Sequence, residues 1–184
     1  EDVARRHGCR LVRAPVGEIN VVVRMVAEGA AVGGEGNGGV IVPALHHTRD
    51  APAGAALLLQ YLTDEPDVPL SERVAALPSY AIVKEKVAFP REALDAAYVA
   101  LAGELPAGRQ DDSDGLRIEW PAERAWLHVR PSGTEPVVRL IAEAPRPAAA
   151  RSLVDRARRV LEACSRDVGR QRPQARGPTG KATG

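Results

Sequence analysis

Seven consecutive residues, Arg130-Pro131-Ser132-Gly133-Thr134-Glu135-Pro136, gather in one short stretch what a phosphate dianion needs. Arg130 offers a planar fork of N–H donors with permanent positive charge. Ser132 and Thr134 add hydroxyl donors. Gly133 can adopt positive φ, which would let successive backbone N–H groups turn toward one point as an anion-binding nest. The two prolines fix φ at their own positions. The stretch lies between two apolar runs, residues 126–129 and 137–141. By residue type alone it also suits an ordinary strand-to-strand turn, because Pro, Ser and Gly are turn residues in any case.

A second stretch, Gly33-Gly34-Glu35-Gly36-Asn37-Gly38-Gly39, carries different chemistry. An ionised carboxylate can accept from two neighbouring hydroxyls at once, as on the edge of a sugar ring. Gly34 and Gly36 flank Glu35 with no side chain to hold such a ring away, and Asn37 adds a donor and an acceptor. The competing reading is a glycine-rich connection with Glu35 merely solvated. Other clusters lead to no site. Asp111-Asp112-Ser113-Asp114-Gly115 lacks the ligand spacing of a calcium loop and reads as a solvated hairpin turn. His46-His47 has no Cys or acidic partner at zinc-ligand spacing. Ser132 lacks the Gly-x-Ser-x-Gly surround of a hydrolase nucleophile.

These loops need elements to hold them. Residues 11–14 read as a short strand. Residues 19–27 admit two readings: their β-branched content favours a strand, whereas Glu28-Gly29 behind them supplies a helix stop. Asp50 is placed to cap a helix running to about Thr63, with Leu57, Leu58, Tyr61 and Leu62 toward the core. Residues 66–78 break the pattern and read as a linker holding a short helix that begins at Ser71. Residues 80–89 read as a strand or strand pair, 90–105 as a helix opened by Pro90, and 108–115 as a polar turn. Residues 116–120 and 125–129 read as an antiparallel pair, 137–144 as a strand, and 148–164 as a final amphipathic helix. From Ser165 the chain is rich in Arg, Gln, Pro and Gly without apolar spacing, and is expected to be a disordered basic tail. That tail has no aromatic side chain to stack on a base.

The chain has 184 residues, enough for one domain or two small ones. Only 3% are aromatic, so the core must be Val, Leu, Ile and Ala, with Trp120 and Trp126 as rare large fillers. A formal net charge of +1 gives no global electrostatic case for nucleic acid, which is not an expected partner. No run has the length of a membrane helix, so no membrane is expected either. The two cysteines, Cys9 and Cys164, are expected to be small buried thiols in a reducing, cytoplasmic setting.

Taken together and in order, four motifs resemble the α-D-phosphohexomutases, the family of phosphoglucomutase, phosphomannomutase and phosphoglucosamine mutase. The Arg130–Pro136 stretch is similar to the phosphate loop of that family's fourth domain. Gly34-Glu35-Gly36-Asn37-Gly38 is similar to the sugar-binding loop of its third. Pro15-Val16-Gly17-Glu18 resembles a turn that precedes a third-domain helix, and Asp114-Gly115-Leu116-Arg117 resembles the lead into the phosphate loop. The resemblance spans roughly residues 6–161.

It implies an α/β fold: residues 1–65 as the C-terminal part of a third domain, 66–78 as a linker, 79–164 as an α+β fourth domain, and 165–184 as the tail. It implies a helix over residues 19–27. It also implies sugar binding by Gly17, Gly34, Glu35, Gly36 and Asn37, and phosphate binding by Arg130, Ser132, Gly133 and Thr134. The partner would be a phosphorylated hexose, glucosamine phosphate first and then mannose or glucose phosphate. The family's phosphoserine loop and Asp-rich metal loop have no counterpart here. The chain is therefore expected to be a fragment with no catalytic residue of its own and no bound cofactor. Mg²⁺ and the missing N-terminal domains would belong to the full-length isomerase of carbohydrate metabolism. The other reading is a non-catalytic module that binds phosphosugars or anions.

Overall fold

A computed structural model of the chain describes residues 1–106, 108–133 and 135–171. The chain divides into two compact units, Glu1–Ser79 and Tyr80–Gly184. No helix among the described residues is long and apolar enough to cross a membrane.

The first unit runs α1 (Asp2–Arg6), α2 (Glu18–Glu28), β1 (Gly33–Gly34), β2 (Val40–Ile41), α3 (Ala51–Asp64) and α4 (Leu70–Ala75). Residues 19–27 are helical, within α2, and Gly29 closes that helix in the left-handed conformation at φ 61°. Here the flanking glycine prevails over β-branched propensity. Asp50 caps α3 as expected, its carboxylate accepting the Ala53 N–H at 2.8 Å.

The strands β1 and β2 pair antiparallel, with Gly34 opposite Val40. Met25 lies on Gly33 so closely that a Cβ there would overlap its sulfur, which seats α2 on β1. Ile41 and Ala53 join Met25 as this unit's buried apolar residues.

Several expectations fail in this unit. Residues 11–14 form no strand, because no neighbouring segment offers them a ladder. Leu57, Leu58 and Tyr61 are exposed and Leu62 only half-buried, although Arg73 of α4 lies over the Tyr61 ring. Cys9 is exposed rather than buried. Residues 66–78 hold α4 and are tied down by Arg73. Its buried guanidinium donates to the carbonyls of Tyr61 (3.0 Å), Val68 (3.2 Å) and Glu65, and lies 4.6 Å from the Tyr61 ring centroid.

The second unit is a five-stranded antiparallel sheet in the order β3-β7-β6-β5-β4. The strands are β3 (Ala81–Ala88), β4 (Arg109–Asp111), β5 (Leu116–Trp120), β6 (Ala125–Pro131) and β7 (Val137–Ala144). A 3₁₀ turn (Arg91–Ala93) leads into α5 (Leu94–Glu104), and α6 (Pro147–Gln171) closes the unit. Strand alternation sends Leu116, Ile118, Leu127, Val129, Val138, Leu140 and Ala142 to one face, where they are buried with Leu101 of α5 and Val154, Ala157 and Leu161 of α6. The alternating positions, Arg117, Glu119, Trp126, His128, Arg130 and Arg139, lie on the other face.

Three details differ from the sequence expectation. Residues 109–111 add an edge strand where a turn was expected. Cys164 is half-buried against the core. The final helix runs on to Gln171, so residues 165–171 are helical rather than tail. Extending a formed helix is favourable, and Arg and Gln are good helix formers. Residues 172–184, the rest of the expected tail, lie outside the described residues.

Candidate functional site

The chemistry-bearing side chains fall into one loop in each unit. In the first unit the loop joins β1 to β2. Its backbone closes through Glu35 N–H to Gly39 O (3.1 Å) and Gly38 N–H to Glu35 O (3.1 Å). Gly38 takes φ 95°, which an L side chain rarely adopts. A Cβ at Gly34 would overlap Gly39 O, so only glycine lets the two strands meet there.

Glu35 is half-buried with its side chain 18% exposed, so the reading of a merely solvated carboxylate does not hold. Asn37 braces the loop with both ends of its amide: Nδ2 donates to Glu35 Oε2 (3.4 Å), and Oδ1 accepts the Gly39 N–H (3.0 Å). Gly36 has open space around it. Gly17 sits at φ 124° as the N-cap of α2, its carbonyl accepting the Asn20 and Val21 N–H groups.

Arg49 was not singled out in the sequence, and Glu18 only as the last residue of the Pro15–Glu18 turn, yet they connect α2 to this loop. Glu18 accepts from Thr48 Oγ1 (2.5 Å), Arg49 N (3.1 Å) and Arg49 Nε (2.8 Å). The Thr48 hydroxyl, then the Arg49 backbone and side-chain N–H groups, hold its carboxyl below the usual carboxylate range. Arg49 Nη1 lies 3.7 Å from Glu35 Oε2. Glu18 lies 30 residues from Thr48 and 31 from Arg49 along the chain, so no local pattern reveals them.

In the second unit the loop joins β6 to β7. The Ser132 N–H donates to Val137 O (2.8 Å) and closes it. Ser132 is 3% exposed, and its hydroxyl oxygen accepts the Glu135 N–H (3.4 Å), which leaves the hydroxyl hydrogen to donate. Gly133 does not adopt positive φ. The loop reverses through the Ser132–Val137 bond instead, and Gly133 serves by leaving open space, with nothing within 4 Å of where a Cβ would stand. Thr134 lies outside the described residues. Glu135 turns to Lys86 (3.0 Å), which holds its carboxyl below the usual range.

Arg130, at the end of β6, is 22% exposed. Its Nη1 lies 3.5 Å from Asp114 Oδ2, and its Nε is buried with no hydrogen-bond partner among the described residues. Among the described residues, then, this guanidinium's donor set is not filled. Asp114, expected to be solvated, instead supports the site. Its carbonyl accepts from His128 Nε2 (2.6 Å), and a carbonyl can only accept, so Nε2 carries the hydrogen. Burial pushes the His128 pKa down, which keeps the ring neutral beside Arg130.

Arg91 is a further residue the sequence did not single out. It donates to Ser132 O (3.2 Å) and lines a cavity of about 250 Å³ with Phe89, Leu94, Ser132 and Gly133.

Comparison with known proteins identifies the family. Residues 1–80 match the family described as "Phosphoglucomutase/phosphomannomutase, alpha/beta/alpha domain III", and residues 80–160 match its "C-terminal domain". A Methanopyrus kandleri protein named "Probable phosphoglucosamine mutase" is 36% identical over 91% of this chain and 37% of its own length. A Thermococcus kodakarensis protein named "Phosphoglucomutase/phosphomannomutase" is 32% identical over 88% of this chain and 35% of its own length. The chain thus spans about a third of the length of these relatives. The crystal structure of a phosphoglucomutase/phosphomannomutase family protein from Burkholderia thailandensis superposes with a TM-score of 0.72 at 28% identity. It covers 87% of this chain and 34% of that one. Matched in order through both units, the chain belongs to the α-D-phosphohexomutase family, of which it holds the third-domain and C-terminal-domain sequence.

Proposed function

We propose that this chain is the sugar-recognising and phosphate-clamping portion of a phosphohexomutase that interconverts hexose 1-phosphate and hexose 6-phosphate. Glucosamine phosphate is the favoured sugar, followed by mannose or glucose phosphate. In this reading Glu35 accepts from the ring hydroxyls, with Gly34 and Gly36 giving the ring room and Gly17 and Asn37 holding the surroundings. Arg130, Ser132, Gly133 and Thr134 hold the phosphate that is not being transferred. The observation that carries this is the placement of Arg130, 22% exposed near the end of β6 beside the Ser132–Gly133 loop, with Nη1 in only a 3.5 Å charge contact with Asp114: a guanidinium so placed can offer N–H groups to an oxyanion.

The phosphoryl-transfer step itself belongs to the parent enzyme. Catalysis of that kind is mainly positioning and charge stabilisation, and this chain's residues supply the positioning. Mg²⁺ would neutralise the transferring group in the whole enzyme. Among the described residues no three His, Cys, Asp or Glu side chains gather as a metal site requires, so no step is assigned to Mg²⁺ on this chain. The preference for glucosamine phosphate comes from the sequence resemblance, and the name of the Methanopyrus kandleri relative supports it.

Calorimetric titration of the chain with glucosamine 6-phosphate, mannose 6-phosphate, glucose 6-phosphate and inorganic phosphate tests the proposal. Hexose phosphates should bind more tightly than inorganic phosphate, glucosamine 6-phosphate most tightly. Equal affinity for all four would leave only an anion-binding module, and no binding would overturn both readings.

A further inference from the structure

The loop that carries Glu35 does not hold that carboxylate unaided. Arg49 crosses the loop on its way to Glu35: a Cβ on Gly39 would overlap Arg49 Cδ and come within 3.0 Å of its Cγ. The bare glycine is what lets the arginine stem pass. Arg49 Nε is fixed by Glu18 Oε2 at 2.8 Å, and its backbone N–H by Glu18 Oε1 at 3.1 Å. Three of roughly four acceptor positions on Glu18 are therefore occupied, the third by Thr48. A guanidinium gripped at Nε has its Nη end aimed, because the fork is planar. That end stands 3.7 Å from Glu35 Oε2, a charge contact rather than a hydrogen bond. Asn37 Nδ2 approaches the same oxygen at 3.4 Å. Glu35 Oε1 makes no hydrogen bond among the described residues. One oxygen of the carboxylate is thus held and the other is left toward whatever it is to bind.

We infer that Arg49 is a positioning residue for Glu35, that Glu18 sets Arg49 in turn, and that the pair governs affinity for the hydroxyl edge of the sugar without touching the phosphate. This rests on the assignment of Glu35 to the sugar. Arg49 attracts Oε2 to one side and fixes the carboxylate plane, so that the free oxygen meets ring hydroxyls in one orientation. Gly39 belongs to the same device, because any side chain there would push the arginine off its course.

The experiment is a double-mutant cycle on the chain, titrated with glucosamine 6-phosphate and, separately, with inorganic phosphate. Arg49→Ala should weaken glucosamine 6-phosphate about tenfold, the lower end of what losing an outer partner of a functional group costs. It should leave inorganic phosphate unchanged. Glu35→Gln should weaken the same ligand, and the double variant should be no weaker than Glu35→Gln alone, because Arg49 acts through Glu35.

Gly39→Ala, which keeps the arginine and displaces it, should match Arg49→Ala and serves in its place if that variant does not fold. Wild-type affinity in both Arg49→Ala and Gly39→Ala would overturn the inference and leave the role of Glu35 standing. So would losses that multiply in the double variant, or an equal loss for inorganic phosphate. An unchanged Glu35→Gln variant would overturn the sugar assignment and this inference together.

Discussion

Replacing Arg130 by alanine removes the guanidinium near the end of β6, beside the loop proposed to hold phosphate. Its side chain is 22% exposed, and its Nη1 makes a 3.5 Å charge contact with Asp114 rather than a hydrogen bond. A charge-assisted hydrogen bond to a phosphate oxygen contributes about 1.5–3 kcal/mol. At about 1.4 kcal/mol per factor of ten, losing one such bond should raise Kd roughly 10- to 150-fold. The loss should be the same for inorganic phosphate and for glucosamine 6-phosphate, because both present the same dianion.

The fold should tolerate the change. The residue lies on the sheet face away from the helices, and the Ser132 N–H to Val137 O bond that closes the loop does not depend on it. Isothermal calorimetry at low and at physiological salt provides the measurement, with a denaturation curve to show the second unit intact. An Arg130→Ala protein that is folded and binds inorganic phosphate like the wild type would refute the reasoning.

Three further outcomes follow from the same geometry. Glu35→Gln should weaken hexose phosphates and leave inorganic phosphate binding alone in calorimetry; equal loss for both ligands would contradict the division of roles. Leu101→Ala, at a wholly buried position between sheet and helices, should cost about 2–5 kcal/mol in urea denaturation. Val99→Ala, 75% exposed on the same helix, should stay within about 0.5 kcal/mol.

The third outcome concerns pH. Burial lowers the His128 pKa in the folded state. Its contribution to stability is complete above the unfolded value of about 6.5 and is lost as pH falls through the folded value, because the unfolded chain then binds the extra proton. Denaturation midpoints between pH 7.5 and 5 should therefore decline more steeply in the wild type than in His128→Gln. Parallel curves would count against a buried neutral imidazole.

The elements that formed as read from the sequence are those whose signals are local. Residues 137–144 form β7 because alternation alone decides a half-buried strand. Asp50 stands one residue ahead of α3 and caps it. What the sequence hid is long-range. Leu57, Leu58 and Tyr61 have helical spacing, but spacing says only that one face is apolar and cannot say whether anything covers it. Glu18 opens α2 and Arg49 lies in the loop before α3, ordinary positions until the fold brings them together 31 positions apart. Asp114 looked like a turn residue and became the partner of Arg130, because β5 and β6 pair beside it. Gly133 was read for left-handed backbone and is used for empty space, a distinction that composition cannot carry.

In the proposed function Glu35 takes the ring hydroxyls of a hexose phosphate and Arg130 takes its phosphate. Backbone-amide NMR of the isotopically labelled chain during titration tests this directly. With glucosamine 6-phosphate, the amides of Glu35 and Gly39 and those of Ser132 and Gly133 should shift together with a single Kd. With inorganic phosphate only the second pair should move. Two sets of shifts saturating at different concentrations, or movement confined to one loop with both ligands, would contradict it.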